Sequence, residues 1–211
     1  PDVHILHTGG TIASKVDYET GGVTNAYTVD ELLGLFPELH DHAYIDSEFI
    51  FNKSSEDLRF SDYNQIINAV EDAVETNPEG IVIAVGTDTM HYVAAALSFA
   101  LQGLPCPVVL VGAQRSSDRP SSDAARNLLS AITFITSDDV TYQGVAVCMH
   151  GDIESNKAYV HRGSKVRKMH TSRRDAFKSI NTTPLTTVDF DDFTVDEPIT
   201  EEHDPSSATY P

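Results

Sequence analysis

The chain has 211 residues, of which 32 are acidic and 14 basic, for a formal net charge of −18. That length accommodates one domain with a full core; the charge repels nucleic acid at long range and fits a salt-rich cytosol and plain solubility equally well. No apolar stretch reaches membrane-spanning length and no signal peptide precedes the first strand-like run, so the reading is cytoplasmic and membrane-free.

Taken in chain order, "VHIL" (3–6) is a short strand. "TVDELLGLF" opens with a capping box, Thr28 as N-cap and Glu31 three residues on. "SDYNQIINAVEDAVE" places Ile66, Ile67, Val70, Ala73 and Val74 on one helical face. "GIVIAV" (80–85) is a buried strand, "MHYVAAALSFAL" an apolar helix, and "CPVVLVGA" (106–113) a further buried strand. "SSDAARNLLSAITFI" is a helix capped by Ser121 or Ser122, and "GVAVCMHG" (144–151) a fourth core strand. Strands that are apolar throughout and separated by helices predict an α/β fold, a doubly wound, mainly parallel sheet flanked by helices.

Residues 184–211 differ: eight are acidic, four are proline and none is Lys or Arg. This composition predicts an acidic interdomain linker after a catalytic domain over 1–183. The chain opens on Pro1, which predicts a piece of a longer protein. Cys106 and Cys148 follow no metal or redox spacing and sit in apolar runs, so both read as small core residues. The nine histidines form no metal-binding motif; the pairs His4/His7 and His40/His42 read as structural.

In such a sheet, ligands sit beyond the carboxyl ends of the strands. Two strands end there in Gly-Thr, at Gly10-Thr11 and Gly86-Thr87, with Asp88 next. A threonine hydroxyl becomes a useful nucleophile when a neighbouring base takes its proton. Lys168, in "KVRKMHTSRRDAF", is the candidate base. The glycines let backbone approach a substrate and free N–H groups for a developing oxyanion. Ordinary turn chemistry is the competing reading of the same residues.

"TGGTIA" and "GTDTM" together resemble the paired signatures of the bacterial-type L-asparaginase/glutaminase family. "TGGTIASKVDYETGGV", "QRSSDRPSSDAARNL" and "HRGSKVRKMHTSRRDAF" are similar to the branch that serves archaeal glutamyl-tRNA(Gln) amidotransferases. The likeness covers most of residues 3–183. It implies that Thr11 attacks a side-chain amide, activated by Tyr18, and that Thr87, Asp88 and Lys168 form the second catalytic group. It further implies that Ser55, Glu56 and Asp88 hold the substrate's α-carboxylate and α-ammonium, and that the Ala113 carbonyl receives the amide group. The implied activity is hydrolysis of L-glutamine through a threonine acyl-enzyme.

The ammonia would pass to a partner protein, GatE, which amidates Glu-tRNA(Gln) with ATP and Mg²⁺; this chain itself takes no cofactor and no metal. A homodimer within a heterotetramer is the implied assembly. The family's smaller carboxyl-terminal domain, and a small amino-terminal one, are missing from the chain on this reading. One departure is Val85, where the family carries histidine before Gly86.

Eight of the 14 basic residues lie between Lys157 and Lys178. Contact with tRNA phosphate, ion pairing across a subunit interface, and tuning of Lys168 by like charge are three readings of that cluster. A free-standing L-asparaginase and an inactive amino-acid-binding module remain as alternative functions. The intact Thr11, Thr87, Asp88 and Lys168 argue against the module.

Overall fold

The computed structural model describes residues 2–10, 14–16, 23–25, 34, 37, 41–114, 123–152 and 156–201. The chain runs β1 (Asp2–His7), β2 (Ser14–Val16), β3 (Val23–Asn25), β4 (Tyr44–Phe49), α1 (Phe60–Val74) and β5 (Gly80–Ala84). It continues through α2 (Met90–Ala100), β6 (Val108–Val111), α3 (Ala124–Thr136), β7 (Val140–Tyr142), β8 (Val145–His150) and β9 (Lys157–Arg162). Four short strands follow: β10 (Val166–Lys168), β11 (Phe177–Ser179), β12 (Thr186–Asp189) and β13 (Ile199–Glu201).

Seven strands make the main sheet in the order β12-β9-β8-β6-β5-β1-β4. The block β4-β1-β5-β6-β8 is parallel; β9 pairs antiparallel with β8, and β12 antiparallel with β9. Side chains alternate across a strand, so each central strand feeds two cores. Ile81 and Ile83 of β5 pack with Ile66 and Val70 of α1 and Val93 and Leu97 of α2 on one face. Val82 and Ala84 pack with Leu128, Ile132 and Phe134 of α3 on the other. This two-sided burial is why the strands read as continuous apolar runs. Each large aliphatic chain buried this way contributes about 1.5–3 kcal/mol. Both cysteines are free and buried, and burial pushes the Cys106 thiol up to about 11 and the Cys148 thiol higher still.

The sequence places a linker from residue 184, and the fold corrects it. Residues 184–201 belong to the domain: β12 pairs with β9, Val188 opposite Ala158, and β13 pairs with β7, Ile199 opposite Val140. The cause is a period-two pattern beneath the acidic composition: Thr186, Val188 and Phe190 are all buried, the last two against the α3 face. Three acidic residues of this segment, Asp189, Asp196 and Glu201, face the basic cluster. Lys157 reaches Asp196 at 2.6 Å and Asp189 at 4.0 Å, and Arg162 donates from Nη1 and Nη2 to the two oxygens of the Glu201 carboxylate. Lys168 pairs with Asp88, and Arg173 and Lys178 with Asp175. Among the described residues, at least five of the eight basic residues therefore pair with carboxylates of their own chain, where the ion-pairing reading placed the partners across a subunit interface.

α3 begins after Asp123; the expected caps Ser121 and Ser122, and the Thr28–Glu31 capping box, lie outside the described residues.

Candidate active site

β1 sits between β4 and β5, so the chain leaves it to one side first and returns to the other. That reversal makes a crevice at the carboxyl ends of β1 and β5. Gly10, after β1, and the Gly86-Thr87 turn, after β5, lie at these ends.

The two turns are locked together by backbone. Thr8 gives its N–H and its hydroxyl to the Ala84 carbonyl, each at 3.0 Å, tying the end of β1 to β5. Gly9 and Gly10 then take φ of +101° and +83°, a region that other residues enter only with strain. A Cβ on Gly10 would lie 2.6 Å from the Gly86 nitrogen, so the two signature turns touch main chain to main chain. A Cβ on Gly86 would in turn lie 2.7 Å from the Ser55 Cβ. Thr89 completes this packing by donating its hydroxyl to the Ser55 carbonyl at 2.9 Å.

Over this floor stands a polar cluster. The Thr87 hydroxyl donates to Gln114 Oε1 at 3.0 Å, and Thr87 is 7% exposed. Lys168 Nζ donates to Thr87 Oγ1 at 2.8 Å and to Asp88 Oδ1 at 2.7 Å. The lysine side chain is 6% exposed and the Asp88 side chain 64%, so the ammonium is enclosed while the carboxylate faces the opening. Lys168 arrives on β10, which pairs with β11 and packs against α2. Burial, then the charges of Arg167 and Lys168, hold His91 at the start of α2 below the usual imidazole range.

Thr87, Asp88 and Lys168 are thus brought together across 80 residues of chain. Ser55 is buried beneath Gly86, and Glu56 follows it, exposed, in a 3-10 turn over Ser55–Asp57. Ala113 is 1% exposed just past the end of β6. Thr11 and Tyr18 lie outside the described residues, although Gly10, the residue before Thr11, is the one pressed onto Gly86. Val85 is a core residue, 2% exposed, packed with the α1 and α2 face. Gln114 is a site residue that sequence reasoning misses; its signal is its place, a polar residue directly after a buried strand and Ala113.

A hydroxyl held between an enclosed lysine and an amide, with an exposed carboxylate beside it at a switch-point crevice, defines an open-sheet α/β protein with a polar site. The chain belongs to the asparaginase family: the family model described as "Asparaginase, N-terminal" matches residues 2–200. Its relatives include GatD, the D subunit of glutamyl-tRNA(Gln) amidotransferase, from Pyrococcus horikoshii, 52% identical over 89% of this chain and 42% of the relative. The GatD of Archaeoglobus fulgidus is 50% identical over 93% of this chain and 46% of its own length. The chain therefore spans less than half the length of these relatives. Among solved structures, the thermostable L-asparaginase from Thermococcus kodakarensis superposes with a TM-score of 0.81 at 33% identity, covering 97% of this chain and 58% of that one. A probable cytoplasmic L-asparaginase from Campylobacter jejuni gives 0.76 at 27% identity, covering 96% of this chain and 57% of that one.

Among the described residues no helix is long and apolar enough to cross a membrane, and no group of three or more His, Cys, Asp or Glu side chains is placed to hold a metal ion.

Proposed function

We propose that this chain is the catalytic part of the glutaminase component of a Glu-tRNA(Gln) amidotransferase. The observation that carries the chemistry is the Lys168–Thr87–Asp88 cluster at the meeting point of the two Gly-Thr turns. The half-identity to GatD relatives supports the amidotransferase assignment within the family.

In this reading the Thr11 hydroxyl, activated by Tyr18, adds to the side-chain amide carbon of L-glutamine. The C–N bond breaks, ammonia leaves with a proton, and a γ-glutamyl ester remains on Thr11. Water, held by Thr87 with Lys168 behind it, adds to the ester and releases glutamate, returning the proton to Thr11. Asp88 and Glu56 offer anions to the α-ammonium, Ser55 a donor to the α-carboxylate, and the Ala113 carbonyl an acceptor to the amide NH₂. The exposed Asp88 suits this second duty, because it keeps one face toward the opening while Lys168 holds the other. No cofactor of the chain's own takes part; ATP and Mg²⁺ belong to the partner protein, GatE, which receives the ammonia and amidates Glu-tRNA(Gln). The working assembly is a homodimer within a heterotetramer, in the cytoplasm.

A free-standing L-asparaginase is the second reading, favoured by the superposition on such enzymes. Ammonia release by the complete protein separates the two, measured with L-glutamine and L-asparagine, alone and with GatE, Glu-tRNA(Gln) and ATP. Glutamine hydrolysis that rises with the complex is the expected result. Rapid asparagine hydrolysis by the isolated protein, indifferent to tRNA, overturns it.

A further inference from the structure

Gln114 joins the site to a surface loop, and its two ends cannot be exchanged. Its Nε2 lies 2.8 Å from the Arg173 carbonyl, which accepts hydrogen bonds and never donates them. The amide NH₂ must therefore face Arg173, which leaves Oε1 toward Thr87 at 3.0 Å. Oε1 is an acceptor, so it takes the one proton that the Thr87 hydroxyl owns. Lys168 Nζ, at 2.8 Å, donates to one Thr87 lone pair. A hydroxyl has one proton and two lone pairs. What Thr87 has left to offer the crevice is a single lone pair.

We propose that Gln114 is a positioning residue: anchored on the Arg173 carbonyl, it orients Thr87 as a hydrogen-bond acceptor toward the nucleophile, and it couples that orientation to the 169–176 loop. Thr87 then receives a proton-bearing group, a water or a threonine hydroxyl, and does not donate to a carbonyl oxygen. The kinetic part of this inference rests on the amidase reading above; the tether itself does not.

The surroundings are built for the task. The Gln114 N–H is held by both oxygens of Asp123, at 3.0 and 3.2 Å, and Asp123 is 2% exposed. Asn127 fastens Asp123 at 3.1 Å and the Gly112 carbonyl at 2.9 Å, so the backbone on either side of Ala113 is fixed to α3. On the far side, the loop is closed on itself. Met169 N–H reaches the Ala176 carbonyl at 2.7 Å, and His170 Nδ1 accepts from the N–H groups of Ser172 and Arg173. Lys168 opens this loop and Arg173 lies within it, so the run Lys168–Thr87–Gln114–Arg173 is a ring closed by main chain. Residues 169–173 are exposed. A partner that shifts the Arg173 carbonyl breaks the ring at Gln114 and frees the Thr87 proton.

The test uses the complete protein with Gln114→Met, which keeps the length and loses both hydrogen bonds, and Gln114→Glu. Two readouts are taken: amide hydrogen exchange of peptide 169–176, and kcat and KM for glutamine. For Gln114→Met, exchange in 169–176 quickens about five- to tenfold, the scale of one net hydrogen bond, while α1 exchanges as before. kcat falls about tenfold or more with KM within about twofold, as expected for a misoriented group that does not hold substrate.

For Gln114→Glu, the ionised carboxylate meets the Arg173 carbonyl and the tether opens. The protonated acid donates to that carbonyl and accepts from Thr87, as glutamine does. Asp123 and Asp88 raise the new carboxyl's pKa, and Lys168 and Arg173 lower it. The ratio of variant to wild-type kcat therefore rises toward one as pH falls toward the ordinary glutamate value of about 4.3. A Gln114→Met protein with wild-type exchange in 169–176, or a Gln114→Glu profile parallel to wild type, overturns the proposal. Should the wild-type protein hydrolyse neither glutamine nor asparagine, the amidase reading fails, and exchange in 169–176 alone decides the tether. A Gln114→Met chain that does not fold leaves the Gln114→Glu ratio to decide.

Discussion

Replacing Lys168 by methionine separates chemistry from stability. The methionine stem fills the channel that the lysine stem fills. Two bonds vanish, to Thr87 Oγ1 at 2.8 Å and to Asp88 Oδ1 at 2.7 Å. The Asp88 side chain is 64% exposed, so its carboxylate turns to water, and a pair of that kind contributes at most about 1 kcal/mol. Thr87 keeps its proton on Gln114, so no buried donor is left orphaned. The variant should lose about 1 kcal/mol and about 2–4 °C in Tm. Its kcat should fall about 10²- to 10⁴-fold, because the group behind the second threonine is gone. Coupled ammonia release on glutamine gives kcat, and scanning calorimetry gives Tm. A kcat within about threefold of wild type would refute the role of Lys168. So would a loss of activity that tracks a collapse of Tm, since the lysine would then be structural.

Other perturbations probe different links. Gly10→Ala places a methyl 2.6 Å from the Gly86 nitrogen at φ +83°, and should cost about 2 kcal/mol or more in denaturant unfolding; an unchanged midpoint contradicts the turn-on-turn packing. His7 is 1% exposed, lies tilted against Phe49 with ring centroids 5.0 Å apart, and burial pushes its pKa down to about 4. Between pH 6.5 and 4 the unfolded chain binds a proton there that the folded chain refuses, so stability is lost as pH falls through that window, by roughly 3 kcal/mol for this group. His7→Phe should shrink the difference in unfolding free energy between pH 7 and pH 4.5 by roughly 2–3 kcal/mol; an unaltered difference shows that His7 is not a source of the acid sensitivity. A chain ended after residue 183 should fail to give a cooperative unfolding transition, because it strips β12 and β13 from the sheets, whereas one ended after residue 201 should retain it. Equal transitions would restore the linker reading.

The parts of the fold legible in the sequence are those buried on both faces. β5, β6 and β8 are continuous apolar runs, and only a covered parallel sheet explains three of them between helices. β4, "YIDSEF", carries no such signal because it is an edge strand with Ile45 as its one buried residue. β12 is hidden by composition: acidic neighbours mask the two-residue spacing of Thr186, Val188 and Phe190. The same masking conceals why the basic residues cluster, since their partners Asp189, Asp196 and Glu201 stand in the segment that reads as a linker. At the site, Thr87 and Asp88 can be read from a strand-end turn. Lys168 enters as a candidate base for a threonine, a role its short motif alone leaves open, and only the pairing of β10 with β11 against α2 brings its amine to Thr87 and Asp88. Gln114 stands in the sequence only as a polar residue after a buried strand; its tether needs the fold, because the carbonyl it holds is 59 residues away.

If the two Gly-Thr turns form one site, Thr11 is acylated there and Thr87 serves the hydrolysis of the ester. Intact-mass and peptide-mass measurement of the complete Thr87→Val protein, after mixing with L-glutamine, bears on both halves of that statement at once. A γ-glutamyl adduct should accumulate on the peptide containing Thr11, with ammonia released once per site. Steady ammonia release at the wild-type rate, with no adduct on that peptide, would contradict it.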